Sequence, residues 1–256
     1  MNKRTKRIIF YSAVVIFVLL SYVVILYAQG YKYSFSESRF FRTGSIYVKA
    51  NEDAKVYMDD KFLNSTSFFG NSYMINGLLP RQYMIRLQKD NFSSWQKKIS
   101  VEEGLVNEYS RIILLSESGE AEENVKTEIK KILTPSKKPV SLSANSDQPF
   151  YIKNGVLIHN VDGTIEKLAY FVTDFAISPD NRKLAWWNGN ELWVMWLLDT
   201  DYQPYHKAGD KDLITRFSIK IKNAGWFRDS DHVVVDSSGY KVVEIDKRGG
   251  LNIVEI

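Results

Sequence analysis

The sequence predicts a mainly β protein: an N-terminal transmembrane helix, then a small β-sandwich, then a partial β-propeller-like repeat of antiparallel blades. Three observations lead to this fold class. An uncharged apolar run lies near the N-terminus, short alternating segments separated by turn residues follow it, and one strand pattern recurs in the C-terminal half. The 256 residues allow about two domains, and the 45% hydrophobic content is enough for buried cores.

The first predicted element is a membrane anchor at residues 8–28, which carry no charge over 21 positions. At ~1.5 Å per helical residue this run spans a hydrocarbon core of ~30 Å. A cleaved signal peptide is the alternative, but its apolar region is normally ~7–15 residues and ends in a small-x-small site. Here Leu26 stands two positions before Ala28. We therefore expect an uncleaved helix in contact with the lipid bilayer.

The orientation of this anchor follows from the charges in residues 1–7. Four basic residues lie there, and the positive-inside rule places such a cluster in the cytoplasm. The protein is expected to be a single-pass protein of the cytoplasmic membrane, with its C-terminal domains extracytoplasmic. Aromatic side chains suit the far interface of that membrane, and the sequence supplies Tyr27, Tyr31 and Tyr33.

Charge and cysteine content exclude several classes of function. Four of the 34 basic residues precede the apolar run, which leaves 30 basic against 30 acidic residues. This balance predicts no nucleic-acid partner. The chain contains no cysteine, which excludes disulfides, thiolate metal sites and a cysteine nucleophile.

Residues 29–42 are expected to form a short stalk, and residues 43–116 a small antiparallel β-sandwich. In the stalk, Phe35, Phe40 and Phe41 are expected to dock on the next domain. The second region contains seven short segments with turn residues between them and without helical periodicity. These segments are SIYVKA, AKVYMD, KFLNS, SYMING, QYMIRLQKD, WQKKISV and NEYSRIILL. In the first of them, Ile46, Val48 and Ala50 are predicted to share a face.

This region resembles the PEGA domain of bacterial and archaeal surface proteins over some 70 residues. GSIYVKANEDAKVYMDDKFLNST and INGLLPRQYMIRLQKDNFSSWQKKISVEEG keep the order and spacing of that family's elements. The matching positions are Ala54, Val56, Asp59, Leu79, Pro80, Tyr83, Lys89 and Phe92. The sequence departs from the family at Asn51-Glu52-Asp53-Ala54, which keeps only the Glu and Ala of the P-E-G-A motif, and at Asp60 and Arg81, which replace glycines. The resemblance implies an extracytoplasmic β-sandwich and brings no catalytic residues.

Residues 117–147 are polar and charged and are predicted to form an inter-domain linker. Val125, Ile129 and Ile132 have helical spacing, so a short helix from about Glu120 to Leu133 is expected, ending before Pro135. A cluster of basic residues is expected to be a solvated surface: Lys130, Lys131, Lys137 and Lys138.

Residues 148–256 return to a strand pattern, with hairpin turns at Asn154-Gly155 and Asp162-Gly163. A shift of 50 residues places FAISPDNRKLAWWNGNELWVMW over GWFRDSDHVVVDSSGYKVVEID. Repeats of ~40–50 residues built from short antiparallel strands are typical of propeller blades. The segments AISPDNRKLAWW and NELWVMWL resemble the strands of TolB-type, WD-like propellers.

About 108 residues are too few for a closed propeller, which needs at least four blades of ~40 residues. Three alternatives remain open at this stage. The region is a truncated propeller, an open stack of two to three blades, or a unit completed by oligomerisation.

Four of the six tryptophans lie between residues 186 and 196. Strand alternation places Trp186 and Trp187 on opposite faces, so they cannot form one flat platform. Most of these rings are expected to pack between blades. One or two exposed rings, Trp187 or Trp196, are the candidate contacts for a sugar or a protein partner.

The sequence contains no recognised catalytic motif, and we expect no catalytic, cofactor-binding or metal-binding residues. The three histidines, His159, His206 and His232, lack metal-ligand spacing and are expected at surface or turn positions. Asp229 and Asp231 are expected to be turn formers. The sequence thus favours a non-enzymatic, membrane-anchored envelope protein whose β modules contact cell-wall polymer or another envelope or surface-layer protein. The alternative is an extracytoplasmic hydrolase of glycan or peptide, with its site on the propeller face.

Overall fold

The computed structural model describes residues 2–35, 37–134, 149–161 and 163–256, and in them the chain is mainly β. Helix α1 spans Lys3–Ala28, and none of its residues is buried. It is long and apolar enough to cross a membrane. Strands β1 (Tyr31–Ser34) and β2 (Arg39–Arg42) follow and pair as an antiparallel hairpin. The expected stalk is therefore a folded hairpin.

Only one of the three stalk phenylalanines is fully buried against its surroundings. Phe41 is 5% exposed, whereas Phe35 is 90% exposed and Phe40 is partly buried. The expectation that Phe35 docks on the next domain is wrong, because Phe35 lies in the turn of the hairpin.

Seven strands follow, at the positions where the sequence predicts them. They are β3 (Gly44–Ala50), β4 (Lys55–Met58), β5 (Lys61–Ser65), β6 (Ser72–Leu78), β7 (Gln82–Gln88), β8 (Trp95–Ser100) and β9 (Val106–Ile112). They form a three-stranded sheet in the order β6-β3-β9 and a four-stranded sheet in the order β5-β4-β7-β8. The strand β3 pairs with β9 in parallel, so the expectation of purely antiparallel pairing is wrong. A parallel neighbour requires a long crossover, here the whole chain between β3 and β9.

Side chains from both of these sheets share one hydrophobic core. Ile46, Val48 and Ala50 are at most 6% exposed, which confirms the predicted buried face of β3. The turn between β4 and β5 places Asp59 and Asp60 at positive φ of 49° and 61°, as the two-residue hairpin turn there requires. We call residues 43–116 the first module.

Helix α2 spans Gly119–Leu133, which confirms the helix predicted from the spacing of apolar residues. Ile129 and Leu133 are buried, and they pack against Phe227 and Val234 of the C-terminal region. Lys130 and Lys131 are exposed, as expected. The predicted helix stop at Pro135, the basic residues Lys137 and Lys138, and the remainder of the linker to residue 147 lie outside the described residues.

The C-terminal region, which we call the second module, consists of three successive antiparallel sheets. The first contains β10 (Phe150–Lys153), β11 (Val156–Val161) and β12 (Thr164–Tyr170). The second contains β13 (Asp174–Ile177), β14 (Lys183–Asn188), β15 (Glu191–Trp196) and β16 (Lys211–Arg216). The third contains β17 (Asn223–Trp226), β18 (His232–Asp236), β19 (Tyr240–Glu244) and β20 (Ile253–Glu255). In each sheet the strands lie side by side in chain order.

The three sheets are stacked with hydrophobic cores between them. One core joins the first sheet to the second, another joins the second to the third, and a third core joins the third sheet to helix α2. The hairpin turn at Asn154-Gly155 has positive φ at both residues, as predicted. Of the other predicted turn, Asp162 lies outside the described residues, while Val161 pairs with Thr164.

The repeat in this module has a spacing of 49 residues in its first two strands, so the predicted shift of 50 is wrong. The amide of Ser178 donates to the carbonyl of Lys183, and the amide of Phe227 donates to that of His232, both at 2.9 Å. Leu184 accordingly corresponds to Val233, and both face the preceding sheet. A shift of one residue would exchange the two faces of a strand.

Candidate functional site: a buried charge network between the modules

The two tryptophans predicted as partner contacts are buried. Trp187 and Trp196 are each 2% exposed, so the expectation of an exposed ring at these positions is wrong. Both faces of the second sheet are covered by other parts of the chain, which leaves no solvent-facing side for a large ring. Trp186 and Trp187 do lie on opposite faces, since each belongs to a different core. Trp196 stacks on the His206 ring, with centroids 3.5 Å apart.

The chemically distinctive site is a network of buried charges, which was not among the expectations drawn from the sequence. At its centre the Lys97 ammonium of β8 lies 3.0 Å from Glu244 Oε1 of β19, with side chains 0% and 6% exposed. The indole of Trp95 donates to Glu244 Oε2 at 3.0 Å, and Lys97 also donates to the carbonyl of Asp246. Burial raises the pKa of Glu244, and the charge of Lys97 only partly offsets this effect. This ion pair joins the first module to the third sheet.

A buried histidine continues the network. His232 faces Glu244 across the β18–β19 pair, and its Nδ1 lies 2.6 Å from Asp229 Oδ2. Burial alone would lower the pKa of His232, but the hydrogen bond with Asp229 and the neighbouring carboxylates outweigh burial and raise it. Burial opposes ionisation of Asp229 as well, yet the contact with His232 keeps the pKa of Asp229 lowered. His232 is only 3% exposed, so its expected surface or turn position is wrong.

A second arm of the network reaches the second sheet through Lys183. Its ammonium donates to Asp231 Oδ1 at 3.1 Å and to the carbonyl of Ser230 at 2.9 Å. Asp231 also pairs with Arg111 of β9. Burial works against the charged form of Lys183, but Asp231, Tyr202 and Asp180 together outweigh burial and raise the pKa of this lysine. The carboxylate of Asp231 therefore connects its own third sheet to the second sheet, through Lys183, and to the first module, through Arg111.

The repeat explains why two of these cations are where they are. Lys183 and His232 occupy equivalent positions, 49 residues apart, each at the start of a strand. Each lies beside an aspartate of the preceding turn, Asp180 at 3.7 Å and Asp229 at 2.6 Å. Both aspartates also accept a backbone N–H from two residues later, as expected of turn formers. The D-x-x-K and D-x-x-H spacing is the sequence signal that could have revealed this pattern.

A third arm fixes the free edge of β9. Gln203 accepts a hydrogen bond from the Glu108 amide at 3.0 Å and donates to the Val106 carbonyl at 2.9 Å, as a neighbouring strand would. Arg248 donates to Gln203 Oε1 at 2.9 Å and to the Glu108 carbonyl at 2.7 Å. Its guanidinium carbon lies 4.4 Å from the centre of the Tyr109 ring, and burial raises the pKa of Tyr109 to about 12.

The space left in this network is small. The cavity lined by Tyr109, Arg111, Tyr202, Asp231 and Glu244 has a volume of about 30 Å³. That is room for about one water molecule, whereas pockets for small organic ligands are typically ~300–1,000 Å³. Among residues 2–35, 37–134, 149–161 and 163–256, no group of three or more His, Asp or Glu side chains is arranged to hold a metal ion. The geometry is that of a structural joint between modules.

Comparison with known proteins adds no family to this description. No protein-family model matches the chain, and no curated protein sequence matches it.

The titration of His232 predicts a pH dependence of stability. Because the folded pKa lies above the ordinary 6.5, the stabilisation is fully present below pH 6.5 and is lost as pH rises through the folded value. We expect the free energy of unfolding to fall over this interval, by at most about 1.4 kcal/mol per pH unit for one proton. We expect His232→Gln to flatten this slope. Urea titrations of the full chain in non-ionic detergent measure this.

His206→Gln provides the control for that experiment. Burial lowers the pKa of His206, so its stabilisation is present above pH 6.5 and is lost as pH falls through the lowered folded value. The two histidines thus act in separate windows and with opposite slopes. An unchanged slope above pH 6.5 in His232→Gln would contradict the assignment.

Two glycines with similar backbone angles test the contact between the modules. Gly249 has φ of +70°, and a Cβ there would lie 2.8 Å from the carbonyl oxygen of Lys98 in the first module. Gly155 has φ of +74°, and its Cβ would meet nothing within 4 Å. Both alanine variants carry similar backbone strain, but only Gly249→Ala also carries a clash with backbone, typically worth about 1–3 kcal/mol. We expect Gly249→Ala to lower the melting temperature more than Gly155→Ala, and equal melting temperatures would argue against a rigid joint.

Proposed function

We propose that this protein is a single-pass membrane protein that acts as a non-enzymatic envelope scaffold. In this proposal, residues 8–28 span the cytoplasmic membrane with residues 1–7 in the cytoplasm. A PEGA-like β-sandwich and a partial, open TolB-type propeller stack project outside as one rigid body. The scaffold presents a surface to another protein of the envelope.

Several features support the domain assignments within this proposal. Two sheets of the first module share one core, and the hydroxyl of Tyr83 donates to the carbonyl of Leu79 at 3.0 Å, between two positions of the PEGA resemblance. In the second module, three antiparallel sheets are stacked face to face, as blades are.

The non-enzymatic part of the proposal is supported by the positions of the acid–base groups. Asp229 and His232 are close enough for catalysis at 2.6 Å, but the His232 side chain is 4% exposed. The central cavity holds about one water. A glycan or peptide substrate would have no access to this pair without separation of the modules.

The observation that carries the binding proposal is an exposed aromatic pair on the loop between β5 and β6. Phe68 and Phe69 are 88% and 90% exposed, in the uncharged segment 66–71. Their rings are 5.2 Å apart and inclined at 88°. Adjacent large apolar side chains kept in solvent typically mark an interaction site.

The ring geometry favours a protein partner over cell-wall polymer. Sugar stacking uses the flat face of a ring, and two rings at 88° cannot both lie flat on one glycan chain. An apolar cleft on a protein accepts such an edge-to-face pair, and buried aromatic anchors dominate the energy of protein interfaces.

A photo-crosslinking experiment in intact cells tests this function. A benzophenone amino acid replaces Phe69 in one variant and Phe171, which is 86% exposed in the second module, in the control. We expect a discrete protein adduct from position 69 alone. Equal amounts of adduct from both positions would contradict the proposal. So would a protein that sediments with purified cell wall and loses this binding in the double variant Phe68→Ser/Phe69→Ser.

A further inference from the structure

The hairpin β1–β2 connects the membrane helix to the first module and has two different faces. Cross-strand partners in an antiparallel pair lie on the same face, and successive residues alternate. Lys32 therefore shares a face with Phe41, and Tyr33 shares the opposite face with Phe40.

One face of the hairpin is attached to the first module. Phe41 is 5% exposed, and the Lys32 ammonium donates to the carbonyl of Gly77 in β6 at 2.7 Å. At the base of the hairpin, the amide and the hydroxyl of Thr43 both donate to the carbonyl of Gly30 at 2.8 Å. These contacts hold the hairpin in a fixed position on the module.

The opposite face continues the aromatic surface of helix α1. The Phe40 ring lies 6.4 Å from Tyr27 in the last turn of the helix and 5.1 Å from Tyr33. The Phe35 ring lies 5.1 Å from Tyr33 and is 90% exposed. Four aromatic rings thus form a continuous row from the helix end to the hairpin turn, which we call the aromatic row: Tyr27, Phe40, Tyr33 and Phe35.

The depth of this row follows from the length of the helix. The uncharged run of residues 8–28 covers ~31 Å, close to the ~30 Å hydrocarbon thickness, which places Tyr27 at the far boundary. Phe40 contacts Tyr27 and must lie near the same level. Aromatic side chains concentrate at this boundary, where a ring is half in the headgroups.

We propose that the aromatic row is seated in the interfacial zone of the membrane that helix α1 spans, so that the hairpin fixes the orientation of both modules against the lipid surface. The inference rests on the membrane anchor of the proposed function. In this inference residues 29–42 bind the lipid surface, whereas a stalk would only separate the modules from the membrane.

The experiment uses the absence of cysteine, which makes any introduced cysteine a unique labelling site. Full-length Phe35→Cys carries an environment-sensitive fluorophore and is reconstituted in phosphatidylcholine–phosphatidylglycerol vesicles with spin-labelled quencher lipids. Phe69→Cys is the matched control, because Phe69 is equally exposed at 90%. Its loop lies at the opposite end of β6 from Gly77, roughly 17 Å away at ~3.4 Å per residue. Val18→Cys, in the middle of the helix, reports on membrane insertion.

We expect quenching of position 35 by shallow quenchers to exceed that of position 69 severalfold, with position 18 quenched by deep quenchers. If position 18 is quenched while positions 35 and 69 behave alike, the inference fails and the anchor stands. If position 18 is also unquenched, the anchor fails together with the inference.

Discussion

Lys97→Met is expected to lower the free energy of unfolding at neutral pH by about 3–5 kcal/mol, the usual cost of leaving a buried charge without its partner. Glu244 would remain at 6% side-chain exposure without its cation, while Trp95 could still donate its hydrogen bond to it. The loss would therefore report the charge and not the shape of the side chain. Urea denaturation of the full chain in non-ionic detergent, followed by tryptophan fluorescence, measures it.

The stability lost in Lys97→Met should depend on pH in a defined direction. Burial already raises the pKa of Glu244, and removal of Lys97 removes the charge that opposes this rise. A carboxyl with a raised folded pKa destabilises the fold above its unfolded pKa, and that cost disappears as pH falls through the folded value. The stability lost in Lys97→Met should thus shrink in acid, whereas the stability of Glu244→Gln, which lacks the carboxyl, should not show this dependence.

The double variant and a surface pair complete this test. Combining Lys97→Met with Glu244→Gln removes both charges and should recover most of the loss, because neither charge remains buried alone. The exposed pair Lys55–Asp90, 3.5 Å apart, provides the reference, since such pairs contribute about 0–1 kcal/mol. If Lys97→Met costs no more than Lys55→Met, the network does not join the modules.

Local patterns were sufficient to predict the elements of the first module. Each of its strands has one face on the core and one toward solvent, so apolar residues alternate, as in the burial of Ile46 and Val48. Helix α2 is amphipathic for the same reason, with Ile129 and Leu133 on its buried side. In both cases the environment of a residue is set by neighbours a few positions away.

The register of the repeat could not be predicted in this way. Lys183 through Trp187 are all buried because the second sheet is covered on both faces, so alternation disappears there. A shift of 50 then matches apolar residues about as well as the true shift of 49. The hydrogen bonds of the turns, such as that from Ser178 to Lys183, distinguish the two registers.

The sequence indicates only one half of the charge network, the buried lysine, and does not identify its partner. Lys97 and Glu244 are 147 positions apart. Residue type alone does not distinguish a buried lysine in a strand from a solvated one. The alternation Trp95, Lys97, Ile99 in β8 was the available indication, since all three side chains face the same way. Charged residues are almost never fully buried unless they are paired, so Lys97 at an apolar position of a strand implied a distant carboxylate.

Trp187→Ala is expected to destabilise the fold by about 3–5 kcal/mol, the usual cost of deleting a large ring from a core. Trp187 is 2% exposed in the core between the second and third sheets. Phe171→Ala is the matched control, because it removes an aromatic ring that is 86% exposed in the adjoining segment and should cost no more than about 0.5 kcal/mol. The two variants are compared by urea denaturation.

Comparison of Trp187→Ala with Phe171→Ala also decides whether a loss of binding in Trp187→Ala shows that the Trp187 ring contacts a ligand. If the ring packs between sheets, binding to any partner falls only in proportion to the unfolded fraction and returns when the variant is measured at lower temperature or with less denaturant. A variant that remains as stable as Phe171→Ala yet loses binding would contradict this structure, because it would require the Trp187 ring to be accessible. Burial on both faces of the second sheet argues for the first outcome, since opening it would separate two hydrophobic cores at once.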